Sequence, residues 1–247
     1  MTRLGALRLQ GTEGVAVSGC TFERLDGQAV LLDGYNRDAS FTRNTFYLIG
    51  GSGVVLWGYE TNGDGTDGNQ PRRTTVSENF CHEIGIYQKQ SSCYFHAVSA
   101  QSTVTKNLFF NGPRAMVNFN DAFGGGHDLG FNLIFNSWYA RHHYHLTHAR
   151  SLSRHALASP AGAVFAASAS SMTGSYPRRR RPHSRESSDH GAFNSWDRQP
   201  YLSDVGGEDG MTTTAEPAYS RLHNNFIVAN YAADGGCYDN DVSATAV

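Results

Sequence analysis

The sequence predicts an all-β fold, a single right-handed parallel β-helix built as a solenoid of stacked coils. Three observations point there. A short motif, a polar or Gly turn residue followed by an apolar pair, recurs along the chain. Its spacing falls in the mid-twenties of residues, the range of solenoid repeats. The composition is rich in Gly (27) and poor in Pro (7), as many short strands joined by tight turns require.

In chain order the motif reads SGCTF at Ser18, TRNTF at Thr42, SENFC at Ser77, TKNLFF at Thr105, GFNLIF at Gly130 and HNNFIV at His223. Further short apolar stretches lie between these: QAVLL, SGVVLW, CYFHAV and AMVNFN. Counted from Gly19, Asn44, Asn79, Asn107 and Asn132, the steps are 25, 35, 28 and 25 residues. The long step contains the loop TNGDGTDGNQPRR. One such coil cannot bury its own apolar face, whereas stacked coils bury it and pair each strand's backbone groups with the next. Asn at the same corner of successive coils is expected to ladder, each amide bonding the next. The right-handed sense follows the crossover rule for parallel strands. An antiparallel sandwich with evenly spaced turns is the alternative, and the Asn-plus-apolar-pair repeat favours the solenoid over it.

The net charge of -2 gives no overall pull toward nucleic acid or an anionic membrane. No stretch approaches the ~20 consecutive apolar residues of a membrane span. Met1 to Gln10 lacks the apolar core of a signal peptide and reads as mid-domain, so an N-terminally incomplete chain is expected. Cys20, Cys81, Cys93 and Cys237 lack zinc-type spacing and read as small buried hydrophobes rather than as a disulfide.

The segment Trp138–Ser184 interrupts the pattern. It contains no Asp, Glu, Asn, Gln, Lys or Cys, yet holds 7 of the chain's 20 Lys and Arg and 6 of its 11 His. Without it, 13 basic residues face 22 acidic ones. A nucleic-acid patch around the arginine run and a disordered loop are two readings of it; a translated intron is the reading preferred. Trp138 and Tyr139 must be encoded TGG-TA, which contains a GT donor. His183 followed by an AG-type Ser184 codon supplies a pyrimidine-AG acceptor. The excised length is a multiple of three, and the joined codon would encode Cys. Val242–Val247 is read similarly, as an aberrant tail. The expected organisation is therefore β-helix coils over 1–137, the insert at 138–184, more coils over 185–241, and the tail at 242–247.

With the insert set aside, GALRLQGTEG, FERLDGQAVLLDGYNRD, GVVLWGY, DGTDGNQPR, NGPRAMVNFNDAFGGGHD, RESSDHGAFNSWDRQPYL and NNFIVANYAADGGCYDND resemble a group of uncharacterised right-handed β-helix repeat proteins. These occur in marine eukaryotes and bacteria and share the pectin-lyase-like fold. The resemblance covers nearly all of 3–137 and 185–241. It implies the fold, and further coils beyond the last DND, but no established activity.

The densest polar constellation joins Asn118–Asp128 with Arg185–Arg198. The two stretches are expected about one coil apart, with carboxylates ~5–10 Å from one another, a span that covers both glycosidase geometries. Asp121, Asp128, Glu186, Asp189 and Asp197 are the candidate catalytic carboxylates, Asp121 with Asp189 the preferred pair, and His190 a proton relay. Arg114, Arg185 and Arg198 are candidates for holding an acidic sugar, Asn194 for hydrogen bonding it, and Trp196, with Phe193, for stacking on it. Asp64 and Asp67, in NGDGTDGN, form a weaker candidate calcium site, with a Gly/Asp turn as the plainer reading. Asp234, Asp239 and Asp241 form a third acidic cluster. Gln90, His96 and Gln101 are expected near one another on consecutive strands, as a polar ladder or a substrate contact, the ladder being preferred. Together these features predict an extracellular or cell-surface protein that processes polysaccharide, as a glycoside hydrolase or a uronate lyase. The alternative is a non-catalytic carbohydrate-binding or adhesive solenoid, and a glycan is the expected partner in both.

Overall fold

A computed structural model describes residues 4–59, 68–120, 124–137, 191–196, 219–228 and 238–241. All of them belong to the unit formed by Met1–Tyr139 and Arg185–Val247. Among the described residues there is no helix, and every strand pairing is parallel. The all-β parallel β-helix expected from the repeat is the observed architecture.

The strands group by coil. The first coil holds β1 (Gly5–Leu9), β2 (Thr12–Glu13), β3 (Ala16–Ser18) and β4 (Thr21–Leu25). The second holds β5 (Gln28–Asp33), β6 (Asn36–Arg37), β7 (Ser40–Thr42) and β8 (Thr45–Ile49). The third holds β9 (Val54–Trp57), β10 (Pro71–Arg72), β11 (Thr75–Ser77) and β12 (Phe80–His82). Three-strand coils follow: β13 (Tyr94–Ala97), β14 (Thr103–Thr105) and β15 (Leu108–Gly112), then β16 (Val117–Asn120), β17 (Asp128–Gly130) and β18 (Leu133–Ser137). The sixth coil holds β19 (Phe193–Trp196), β20 (Arg221–His223) and β21 (Phe226–Val228), and β22 (Tyr238–Asp241) begins a seventh. Stacking produces four sheets: sheet A in the order β1-β5-β9-β13-β16-β19-β22, sheet B β10-β6-β2, sheet C β20-β17-β14-β11-β7-β3, and sheet D β21-β18-β15-β12-β8-β4.

Alternation along each strand sends every second side chain inward. Val30, Leu32, Val54, Leu56, Tyr94, Val117 and Phe119 on sheet A meet Phe41, Val76 and Val104 from sheet C and Phe46, Phe109 and Ile134 from sheet D in one continuous core. In-register stacking puts like on like, as where Phe22 lies parallel to Phe46 with ring centroids 5.1 Å apart.

The corners explain the repeat. Between sheets C and D each coil turns at one left-handed residue: Gly19, Arg43, Glu78, Lys106, Phe131 and Asn224. The next residue is the ladder position. There Oδ1 of Asn79, Asn107, Asn132 and Asn225 accepts from both the backbone N–H and the side-chain amide of the preceding Asn, at 2.9–3.1 Å. Each amide of Asn44, Asn79, Asn107 and Asn132 also donates to a strand carbonyl, that of Val17, Phe41, Val76 and Val104 in turn. The expected ladder is present, with one correction. Cys20, not Gly19, occupies its first position, its N–H bonding Asn44 Oδ1 across 24 residues. The left-handed conformation costs a non-Gly residue ~1–2 kcal/mol, offset here by hydrogen bonds to otherwise buried backbone groups.

A second correction concerns the cysteines. Cys81 and Cys93 are buried as expected but form a disulfide. It closes the connector between β12 and β13, whose backbone also folds onto the second coil: Gly85 N–H bonds Gly51 O, Ile86 N–H bonds Ile49 O, and Gln88 N–H bonds Gly50 O. That fold-back brings residues twelve apart in sequence to a Cα separation of 6.0 Å. Cys20 is free and exposed.

Candidate functional site

The outward side chains of sheet A form two ranks. One runs Arg8, Leu31, Val55, Phe95, Asn118, Asn194. The other includes Asp33, Trp57, Ala97 and Asn120. The chemistry changes along the stack. At the first coils Arg8 pairs with Asp33 through Nε at 2.8 Å, and the Tyr59 hydroxyl donates to the same carboxylate. In the middle Leu31, Val55, Phe95 and Ala97 make a separate buried apolar cluster against Trp57, whose ring stacks on Phe95 at 5.9 Å. From the fifth coil onward the ranks turn to Asn, with Asn118, Asn120 and Asn194.

This change of chemistry is where the sequence located its constellation. Strands β16 and β19 pair in register, Val117 with Phe193 and Asn118 with Asn194, so the two polar stretches lie on adjoining coils. β22 continues the sheet, with position 239 opposite Asn194 and position 241 opposite Trp196 in register. Asn118 and Asn194 are both buried, so they meet each other within the protein rather than facing bulk water. Arg114 is half-buried and engaged, in the short connector from β15 to β16.

Asp128 is not part of that face. Between Asn120 and Asp128 the chain turns a corner with Gly124 and Gly126 at positive φ, and Asp128 emerges on sheet C. Gly124 is required at this turn, because a Cβ there would sit 1.6 Å from the Ser99 carbonyl oxygen. On sheet C the Asp128 carboxylate accepts from His223 Nε2 at 2.9 Å, a partner 95 residues away that sequence reasoning missed. Asp121, Glu186, Asp189, His190, Asp197, Arg185, Arg198, Asp64, Asp67 and Asp234 lie outside the described residues, and Trp196 is described only as a strand position. In chain order, however, Asp121 and Asp197 each directly follow one of the paired strands β16 and β19, whereas Asp189 precedes β19.

The Gln90–His96–Gln101 expectation fails in part. Only His96 lies on a strand, while Gln90 is exposed in the disulfide-closed connector. His96 points inward and packs on His127 (ring centroids 4.4 Å) and Phe119 (4.2 Å). His127 is buried and accepts the Ser102 N–H at Nδ1, 3.2 Å away. Burial drives its pKa down to about 4, against a small opposing effect from the Ser99 and Gly124 backbone. The neutral ring is therefore part of the core.

The ends of the Asp64–Asp67 loop meet cationic ground. Arg37 donates to Gln70 O and Gly68 O, Arg72 stands opposite Arg37 in register, and Arg73 pairs with Asp38 at 2.7 Å. Desolvation, with Arg37 and Arg73 nearby, lowers the Arg72 pKa to about 10. Among the described residues no group of three or more His, Cys, Asp or Glu is placed to hold a metal ion, and no helix is long and apolar enough to cross a membrane. No family model matches the chain, and no curated protein or solved structure matches it.

Proposed function

We propose that the protein processes an extracellular polysaccharide at the outer face of sheet A, on the coils that carry β16, β19 and β22. The observation that carries this reading is the in-register pairing of β16 with β19. It sets Asn118 beside Asn194, at positions held by Leu31, Val55 and Phe95 in earlier coils, and Asp121 and Asp197 each directly follow these two strands in the sequence. Coils stack ~4.8 Å apart, so carboxylates at matching positions of adjoining coils meet the spacing a glycosidase needs for its acid and its base or nucleophile. Chain order favours Asp121 with Asp197 as that pair over Asp121 with Asp189. Asp189 and His190 precede β19 in the sequence, as Arg114 precedes β16, and their proposed role is charge neutralisation or proton relay. In an elimination from a uronate the same carboxylates would act as base, with arginine neutralising the sugar acid.

Two further observations bear on this reading. The buried Cys81–Cys93 disulfide supports an oxidising, extracellular location. The arginines at the ends of the Asp64–Asp67 loop weigh against a calcium site there, since added cations repel. Burial of Asn118 and Asn194 removes these two side chains as substrate contacts; the second reading is a solenoid that binds glycan without cleaving it. Turnover of a polysaccharide panel by the wild-type chain, by Asp197→Asn and by Asp189→Asn separates these. The catalytic reading expects loss of most turnover in Asp197→Asn with retained folding. Equal turnover by all three removes these carboxylates from the mechanism, and binding without turnover in the wild type selects the second reading.

A further inference from the structure

Away from sheet A, the outer face of sheet C carries a second set of chemistry-bearing side chains. In the middle coils that face presents only hydroxyls, with Ser40, Thr75 and Thr103 in one rank and Thr42, Ser77 and Thr105 in the other. The last two coils replace them with Asp128 and Arg221 in the first rank and Gly130 and His223 in the second. The His223 ring lies over the Gly130 backbone, where a Cβ would come within 2.5 Å of it. It is fixed there by Asp128 at 2.9 Å and by the Phe131 ring, which meets it at 90° with centroids 5.2 Å apart.

Phe131 is the anomaly. It is 55% exposed and occupies the left-handed corner with φ 59°, a conformation that disfavours bulky side chains. The same corner is completed in other coils by Gly, Arg, Glu, Lys and Asn, so the coil does not need a ring there. An exposed aromatic in a strained conformation, whose one ring contact is the edge of His223 among the described residues, points to function. At the other end of the same strands Tyr219 is 74% exposed. Between the two rings Arg221 is exposed and makes no ion pair among the described residues, whereas the Asp128 charge is already engaged by His223. The line from Tyr219 through Arg221 and His223 to the Phe131 corner spans about five residues of strand, ~16 Å.

We propose that this line is a glycan-binding site, distinct from the sheet A face, for an acidic saccharide. Tyr219 and Phe131 stack on sugar rings, and Arg221 forms a bidentate pair with the anionic group, a carboxylate or a sulfate ester. The site rests on the glycan reading above but not on catalysis.

Affinity electrophoresis of the full chain in gels containing polygalacturonate, dextran sulfate or neutral dextran tests it. Retardation is expected in one or both charged gels and not in dextran, and which charged gel retards the protein identifies the anionic group. Arg221→Gln and Tyr219→Ala are each expected to weaken that binding about tenfold or more. Phe131→Gly is expected to weaken it while holding or raising the melting temperature, because Gly relieves the corner; a merely structural Phe131 would instead lower the melting temperature and leave binding alone. No retardation in either charged gel, equal retardation in dextran, or unchanged binding by Arg221→Gln and Phe131→Gly overturns the proposal. Asp197→Asn should leave this binding intact. Binding without turnover therefore removes only the catalytic reading of sheet A, and turnover unaccompanied by Arg221-dependent binding removes only this site.

Discussion

Acid should loosen the solenoid through one buried ring. His127 is enclosed by His96, Phe119 and the Tyr94 region, and its Nδ1 is committed as an acceptor to Ser102 N–H. Burial holds its pKa near 4, against an ordinary value of 6.5. Because the folded pKa is depressed, the unfolded chain binds the proton more readily. The stabilisation is present above pH 6.5 and is lost as pH falls from 6.5 toward 4. The gap sets a ceiling of ~3 kcal/mol, of which ~2 kcal/mol disappears between pH 7 and pH 5. Other groups titrate in that window, so the measurement is a difference. Urea denaturation of wild type and His127→Phe is compared at both pH values. At pH 7 the variant is less stable by ~1–3 kcal/mol, because Ser102 N–H loses its acceptor. Between pH 7 and pH 5 the wild type loses ~2 kcal/mol more than the variant does, so the two curves converge. Parallel pH dependence would show that His127 is protonated or solvated in the fold and would refute the reasoning.

Three further outcomes follow from the corners and connectors. Asn107→Ala removes the acceptor of Asn79 N–H and strands the Val76 carbonyl; a loss of ~2–4 kcal/mol in urea denaturation is expected, and a loss under 1 kcal/mol would show that the ladder is dispensable. Cys93→Ala opens a loop spanning 12 residues; the chain-entropy account gives ~3 kcal/mol, and a reducing agent should lower wild-type stability by a similar amount while leaving the variant unchanged. Replacing Trp138–Ser184 by a single Cys should preserve the β-sheet circular dichroism and the cooperative melt, and loss of the melt would show that the segment is integral to the coil.

What the sequence disclosed was local chemistry repeated. The Asn-plus-apolar-pair corner is set by one left-handed residue and one amide, so it survives in the text at every coil. The slip at its first position has the same origin: Gly19 is left-handed like Arg43 and Glu78 and looks like the ladder residue, although the ladder position is the next one, Cys20. The alignment of Asn118 with Asn194 was legible because strand and coil length determine it. Features created by folding back were not legible. The Cys81–Cys93 disulfide depends on a connector whose path is set by hydrogen bonds to the previous coil. His223 reaches Asp128 only because two coils stack there, with Gly130 leaving room for the ring. Asp128 was grouped with Asn118 because they are neighbours in sequence, and the corner through Gly124 separates them onto different faces.

The same stacking bears on the segment that follows β18. Sheet D hands over to sheet A at one corner of each coil, and the strand bounds give that connector's length. It is 2 residues from β4 to β5, 4 from β8 to β9, 11 from β12 to β13, 4 from β15 to β16 and 9 from β21 to β22, but 55 from β18 to β19. The 55-residue connector is the one that contains Trp138–Ser184. If that segment is replaced by the single Cys of the joined codon, the connector becomes 9 residues, Cys followed by 185–192. That length lies within the range of the other coils and equals that of the next one. The ends of β18 and β19 are already fixed by pairing with β15 and β16, so an insertion at this corner leaves both strands' registers unchanged. Lengthening a connector also costs little in closure entropy, ~0.6 kcal/mol per doubling. A coil can therefore carry an added segment here without losing its fold. The cost would fall on function, because Arg185 to His190, which the proposal assigns to the site, directly follow the segment in the sequence.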